Sequence, residues 1–254
     1  MLPWVKLDEA TMPGGGVLRL MQRGAEFSIM SGTTELMNSR LSGSEEQLAT
    51  LSAARLAGRA KPRILIGGLG MGFTLRAALQ SFPAGSEIVV AELVPEVVAW
   101  ARGPLNAIHG TSLDDDSVTL HQGDVATAIT SGKPFDAILL DVDNGPDGLS
   151  RPANDRLYST AGLATAKAAL TSGGHLAVWS SAPDAKFTKR LKQSGMTVEE
   201  IGVRATRSGR GARHTIWFAT KACLPKVAPV SGQRHASKQK AKANGANLKD
   251  RDSL

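Results

Sequence analysis

The sequence predicts an α/β protein: a doubly wound, mostly parallel, seven-stranded sheet preceded by a small N-terminal β cap. Three observations carry that prediction. Apolar runs of strand length alternate with helical segments between residues 63 and 193, the first of those runs ends in closely spaced glycines, and the last two strand-like runs follow each other without a helix between them. Repeated βα units give parallel strands with helices on both faces, whereas a terminal pair lacking a crossover helix pairs antiparallel.

Composition bounds what such a chain can be. Its 254 residues, 42% of them hydrophobic, allow one sizeable core plus appendages. No apolar run reaches the ~18 residues of a membrane span, and Met1–Asp8 has no signal-peptide apolar core, so a cytoplasmic protein is expected. Cys223 is the single cysteine, which excludes an intrachain disulfide and a cysteine metal cluster. The net charge of +7 suggests nucleic acid until it is located: from Pro225 onward seven Lys/Arg stand against two Asp, leaving +2 for residues 1–224. That Ser/Ala/Lys/Gln-rich tail lacks apolar residues with which to fold, so it reads as a solvated appendage, with weak nucleic-acid contact as the lesser reading. The expected organisation is a β cap over 1–42, an α/β domain over 43–224 and a basic tail over 225–254.

The elements follow in order. Val17–Gln22 and Glu26–Met30 flank Arg23-Gly24 and predict a hairpin in the cap. Ser44-Glu45-Glu46-Gln47 fits a capping box, S-x-x-Q, opening a helix that packs Leu48, Leu51, Ala54 and Leu56 on the sheet and ends near Gly58. Arg63–Gly67 is the first strand of the main sheet. It enters Gly68-x-Gly70-x-Gly72 and then an Ala/Leu-rich helix, a turn in which side chains would block positive φ angles and hold a ligand off the backbone. The spacing is neither G-x-G-x-x-G nor a Gly-Lys-Ser/Thr phosphate loop. Glu87–Glu92 is the second strand, and its terminal acid lies about 20 residues past the glycines, where a carboxylate can accept from both ribose hydroxyls.

Val118–Asp124 is the third strand. Asp124 can accept from an adenine amino group or cap the following helix. Phe135–Asp141 is the fourth, running into a turn that carries Asp143, Asn144 and Asp147, where carboxylates can attract a cationic amine and take its proton, or simply build a turn. A helix spanning Leu157–Leu170 follows, with Tyr158 either orienting an acceptor or packing. Arg151, Asn154 and Arg156 make the segment before it polar, to hold an acidic group or to stay solvated. Leu176–Trp179 is the fifth strand, Lys186–Gln193 a helix, and Val198–Arg204 with His214–Ala219 the closing antiparallel pair.

A G-x-G-x-G turn followed by an acid at the next strand end resembles that of class I S-adenosylmethionine (AdoMet) enzymes, whose Rossmann-like methyltransferase fold has this architecture. Together with Gly123-Asp124, the Phe135–Asp141 strand, Leu157-Tyr158-Ser159 and Gly173–Val178, it resembles the spermidine synthase family, aminopropyltransferases and their methyltransferase-like relatives, over roughly residues 60–180. The resemblance implies polyamine chemistry with AdoMet or decarboxylated AdoMet as cofactor. Gly68, Gly70 and Gly72 would cradle it, Glu92 would bind its ribose and Asp124 its adenine. Asp141 matches the first carboxylate of the family's D-x-x-D-P loop, which deprotonates the attacking amine, with Asp143, Asn144 and Tyr158 beside the acceptor. The cap is similar to the region through which this family associates, so a homodimer is expected.

This chain departs from the family pattern at three places. Leu69 and Met71 stand where the family turn carries an acid, Asn144 replaces the second loop carboxylate, and the segment Ser39–Ser44 lacks the acidic, Tyr-containing diamine signature. Each missing carboxylate removes a charge-assisted hydrogen bond of roughly 1.5–3 kcal/mol to a diamine. A turn without an acid also avoids repelling the carboxylate of intact AdoMet, so the first expectation is methyl transfer to a small, amine-containing acceptor, and the alternative is aminopropyl transfer. A reading of another class is a non-catalytic RNA-binding or scaffold protein that uses the tail.

Overall fold

The computed structural model describes residues 2–142, 145–146 and 156–223. The cap is a four-stranded antiparallel meander, β1 (Val5–Thr11), β2 (Val17–Arg23), β3 (Glu26–Ser31) and β4 (Thr34–Asn38), paired in chain order. The predicted hairpin is β2–β3, turning at Gly24 with φ +60°. β1 and β4 add outer strands that the sequence did not announce. All of β1 except Ala10 is exposed, so it lacks the apolar alternation by which a half-buried strand is read.

Helix α1 (Gly43–Arg55) leads to the main sheet. Its strands are β5 (Arg63–Gly67), β6 (Glu87–Glu92), β7 (Val118–Gln122), β8 (Phe135–Leu140), β9 (Leu170–Ser180), β10 (Thr197–Arg204) and β11 (Arg213–Thr220), in spatial order β10-β11-β9-β8-β5-β6-β7. The five strands β5 to β9 pair parallel; β11 runs antiparallel to both β9 and β10. This is the doubly wound, seven-stranded architecture expected. The connecting helices are α2 (Phe73–Ser81), α3 (Pro95–Arg102), α4 (Asn106–His109), α5 (Val125–Thr130), α6 (Thr160–Ala169) and α7 (Ala185–Gln193).

Both faces of the central strands β5, β6 and β8 are covered, which is why they read as unbroken apolar runs, whereas the edge strands β7 and β10 are polar and part-exposed. Along β5, Ile64 and Ile66 join one core with Leu75, Trp100 and Phe218, while Leu65 joins the other with Ile138, Phe187 and Trp217. The cap packs on the first face, where Trp100 Nε1 donates to Asp8 Oδ2 at 2.7 Å. From β5 the chain winds outward to β6 and β7 on one side and later to β8 and β9 on the other, so a crevice opens beyond the carboxyl ends of β5 and β8.

Two local expectations are corrected. The capping box does not form: the residue before α1 is Ser42, which makes no side-chain cap bond, and Ser44 lies inside the helix, fully buried. The helix predicted through Leu170 ends at Ala169, and β9 begins six residues before the expected Leu176, because Leu170 pairs with Phe135 at the start of β8.

Candidate active site

The glycine turn sits at the crevice. Gly68, Gly70 and Gly72 have φ of +94°, +48° and +75°, a region that side chains avoid. A Cβ would overlap the Asp141 carbonyl oxygen at Gly68, the Met37 sulfur at Gly70 and the His109 ring at Gly72. The turn is thus clasped from three directions by β8, the cap and α4. His109 is 2% exposed, and burial pulls its pKa down to about 4, so the clasp at Gly72 is a neutral ring.

Glu92, at the tip of β6, fastens this turn. Its Oε2 accepts from Leu69 N–H at 3.0 Å and its Oε1 from Val94 N–H at 2.9 Å. Burial raises its pKa, and the backbone donors oppose the rise. The Gly70 and Leu93 N–H groups also act on this carboxylate, so the backbone of the turn and of the β6 tip is gathered on one acid. Asp124 is the N-cap of α5, its Oδ1 accepting from Ala126 N–H at 2.8 Å, and it also borders the cleft.

Asp141 follows β8, its N–H bonded to the Gly67 carbonyl at 2.9 Å. Thr74 Oγ1 on α2 donates to Asp141 Oδ2 at 2.5 Å. Burial lifts the Asp141 carboxyl to about 6 against the pull of that hydroxyl. A second acid stands behind it: Glu45 on α1 is raised to about 7, first by burial and then by the charge of Asp141, with a Ser44 hydrogen bond opposing. Two repelling carboxyls removed from water keep a proton between them near neutrality.

Glu92, Asp124 and Asp141 share one cleft of about 120 Å³ with Gly68 and Gly70. The cap supplies its opposite wall with Met12, Leu18, Ile29 and Met37, so the cleft has acids on the sheet side and an apolar roof. Tyr158 is elsewhere: it is 2% exposed, its ring edge-on to Phe187 at 5.5 Å in the second core, and it does not line the cleft. Asp143, Asn144, Asp147, Arg151 and Asn154 lie outside the described residues, and Arg156 is exposed. Glu45, Thr74, His109 and Met37 were not singled out from the sequence. Glu45 looks there like an ordinary first-turn acid, and the others carry no motif.

Fold and cleft define a Rossmann-like, doubly wound α/β protein with an acid-lined crevice at the topological switch point. Within that class its fold is similar to that of spermidine synthases. It superposes on spermidine synthase in complex with the transition-state analogue AdoDATO with a TM-score of 0.65 at 16% identity, over 85% of this chain and 73% of that one. The Thermotoga maritima spermidine synthase gives 0.66 at 15% identity with the same coverage. In sequence, 124 residues are 34% identical to the polyamine aminopropyltransferases of Mycobacterium tuberculosis and Mycobacterium bovis. That match takes in 47% of this chain and 23% of each relative, so the chain spans about a quarter of their length. No family model matches.

Proposed function

We propose that the protein transfers an aminopropyl group from decarboxylated AdoMet to an amine. The observation that carries this reading is the buried carboxyl of Asp141 at the tip of β8, in the same cleft as Glu92 and Asp124 and beside the glycine turn. The local sequence likeness to polyamine aminopropyltransferases supports it.

The residues present fit the nucleotide. Glu92 lines the cleft where ribose hydroxyls would meet its carboxylate, Asp124 offers an acceptor to the adenine amino group, and the apolar roof suits the ring and the propyl chain. When bound, the sulfonium supplies an activated carbon with a neutral thioether as leaving group. The acceptor nitrogen forms the new N–C bond as the C–S bond breaks, and Asp141 takes the proton that nitrogen sheds. With a pKa of about 6 it is ionised at neutral pH yet more basic than an exposed aspartate.

The sequence favoured methyl transfer because the turn has no acid. Glu45 weighs against that preference: a second carboxyl stands behind Asp141 and, once ionised above about pH 7, adds negative charge that favours a cationic amine. Methyl transfer is kept as the second reading on one observation, that Leu69 and Met71 leave the turn free of a charge that would repel the carboxylate of intact AdoMet. In the first reading the cap over 1–42 also serves self-association, the 225–254 tail takes no part in transfer, and the enzyme works in the cytoplasm.

Calorimetry with both nucleotides and a putrescine turnover assay test the proposal. Tighter binding of the decarboxylated form, with release of methylthioadenosine, is expected. Tighter binding of AdoMet with a methylated product would establish the second reading, and indifference to both nucleotides at millimolar concentration would refute both.

A further inference from the structure

A chain of polar groups, buried at Ser44 and Thr74 and half-buried at Glu45 and His214, runs away from Asp141 toward the antiparallel edge of the sheet, and the transfer reading does not use it. Ser44 Oγ lies 2.6 Å from Glu45 Oε2 and 2.8 Å from Nδ1 of His214, a β11 residue 170 positions along the chain. Thr74 Oγ1, bonded to Asp141, also contacts the Glu45 carbonyl oxygen at 3.3 Å, so α1 and the β8 tip meet at one hydroxyl. Ser44 is fully buried, and the His214 ring stands edge-on to Trp179 at 5.0 Å.

A serine hydroxyl has one proton, so it cannot donate to Glu45 and to a bare His214 Nδ1 together. With Glu45 ionised, Ser44 donates to the carboxylate and His214 holds its proton on Nδ1. With Glu45 protonated on Oε2, the acid donates to Ser44, Ser44 donates to His214, and the imidazole proton moves to Nε2. Burial lowers the His214 pKa, which keeps the ring neutral, with one donor and one acceptor nitrogen as this exchange requires.

We propose that Ser44 and His214 are positioning residues that set the charge on Glu45 and, through it, the basicity of Asp141 toward the acceptor amine. The proposal rests on the transfer reading. Glu45 acts from behind the cleft wall, which it does not line. Of the other charged groups nearby, Glu46 pairs with Arg207 and adds a smaller repulsion to Glu45, Arg76 on α2 donates to the Ile108 carbonyl, and the Arg213 side chain lies at Gly202. The Glu45 charge is therefore tied to His214 through Ser44 and to Asp141 and Glu46 through space.

The test uses the full chain with ¹⁵N-labelled histidine, His214 being assigned by the signal lost in His214→Asn. Imidazole NMR should show His214 passing from the Nε2–H to the Nδ1–H tautomer as pH rises through about 7, and no such passage in Glu45→Gln. In turnover, Glu45→Gln and Ser44→Ala should lower kcat relative to the parent by about threefold at pH 8, where Glu45 is ionised and strengthens Asp141 as a base, and leave it unchanged near pH 6, where Glu45 is already protonated. Ser44→Thr, which keeps the hydroxyl, should restore the parent's kcat at pH 8. A His214 tautomer constant from pH 5 to 9, or an identical passage in Glu45→Gln, overturns the proposal whether or not the protein turns over. In active Glu45→Gln, a kcat ratio to the parent that is the same at pH 6 and pH 8 overturns the link to Asp141. A normal tautomer passage in a protein inactive with every nucleotide and amine would instead overturn the transfer reading, and the catalytic half of the proposal with it.

Discussion

Replacing Glu45 by Gln removes a charge that the fold must hold out of water, and the size of the effect follows from how far that charge is displaced. The carboxyl titrates at 4.5 without its surroundings and at about 7 within them. Because the folded value is the higher one, the fold prefers the protonated acid. That contribution is complete below the unfolded pKa and is lost as pH rises from there through about 7. Above that window the ionised group costs about 3 kcal/mol. For a folded body of this size that is about 6–12 °C in Tm. Gln keeps an oxygen for Ser44 and carries no charge. Urea unfolding should therefore find Glu45→Gln about 3 kcal/mol more stable than the parent at pH 8 and within about 0.5 kcal/mol of it at pH 4. A gain independent of pH, or no gain at pH 8, would refute the reasoning.

Three further outcomes are expected. Glu92→Gln sets an amide nitrogen against a backbone N–H and loses a charge-assisted bond, so calorimetry should show decarboxylated AdoMet binding weakened by about 10- to 100-fold. Asp124→Ser keeps a good N-cap but loses the carboxylate: Tm should hold while nucleotide affinity falls about tenfold, and an unchanged affinity would confine Asp124 to capping. Gly72→Ala meets both a left-handed backbone and the His109 ring and should cost about 2–4 kcal/mol, whereas Gly15→Ala, with φ +101° and nothing near its Cβ, should cost about 1–2 kcal/mol by denaturant unfolding.

What the sequence disclosed and what it withheld divide along a physical line. Strands β5, β6 and β8 are buried on both faces, so each reads as an apolar run with its acid or glycine at the tip. Gly68, Glu92, Asp124 and Asp141 were legible because tips of parallel strands converge by topology. Hidden features depended on contacts between distant segments. Ser44 looks like a cap in its own tetrapeptide, and only His214 across the fold shows otherwise. Glu45 looks like a solvated first-turn acid until Asp141 is placed beside it. Tyr158 stands at the head of a helix in the sequence, but the face it occupies is decided by Phe187 on α7. The outer cap strand β1 packs almost nothing, so its formation rests on pairing with β2 rather than on any pattern of its own.

The way Met37 fills the space above Gly70 couples two positions 33 residues apart. Enlarging one demands trimming the other: Gly70→Ala should be tolerated better beside Met37→Ala than alone, and libraries that vary either site singly will discard combinations that work. Related chains should show the same reciprocity, with bulk at the turn traded against bulk in the cap. The roof of the cleft and its floor therefore have to change together whenever the shape of the bound nucleotide or acceptor changes.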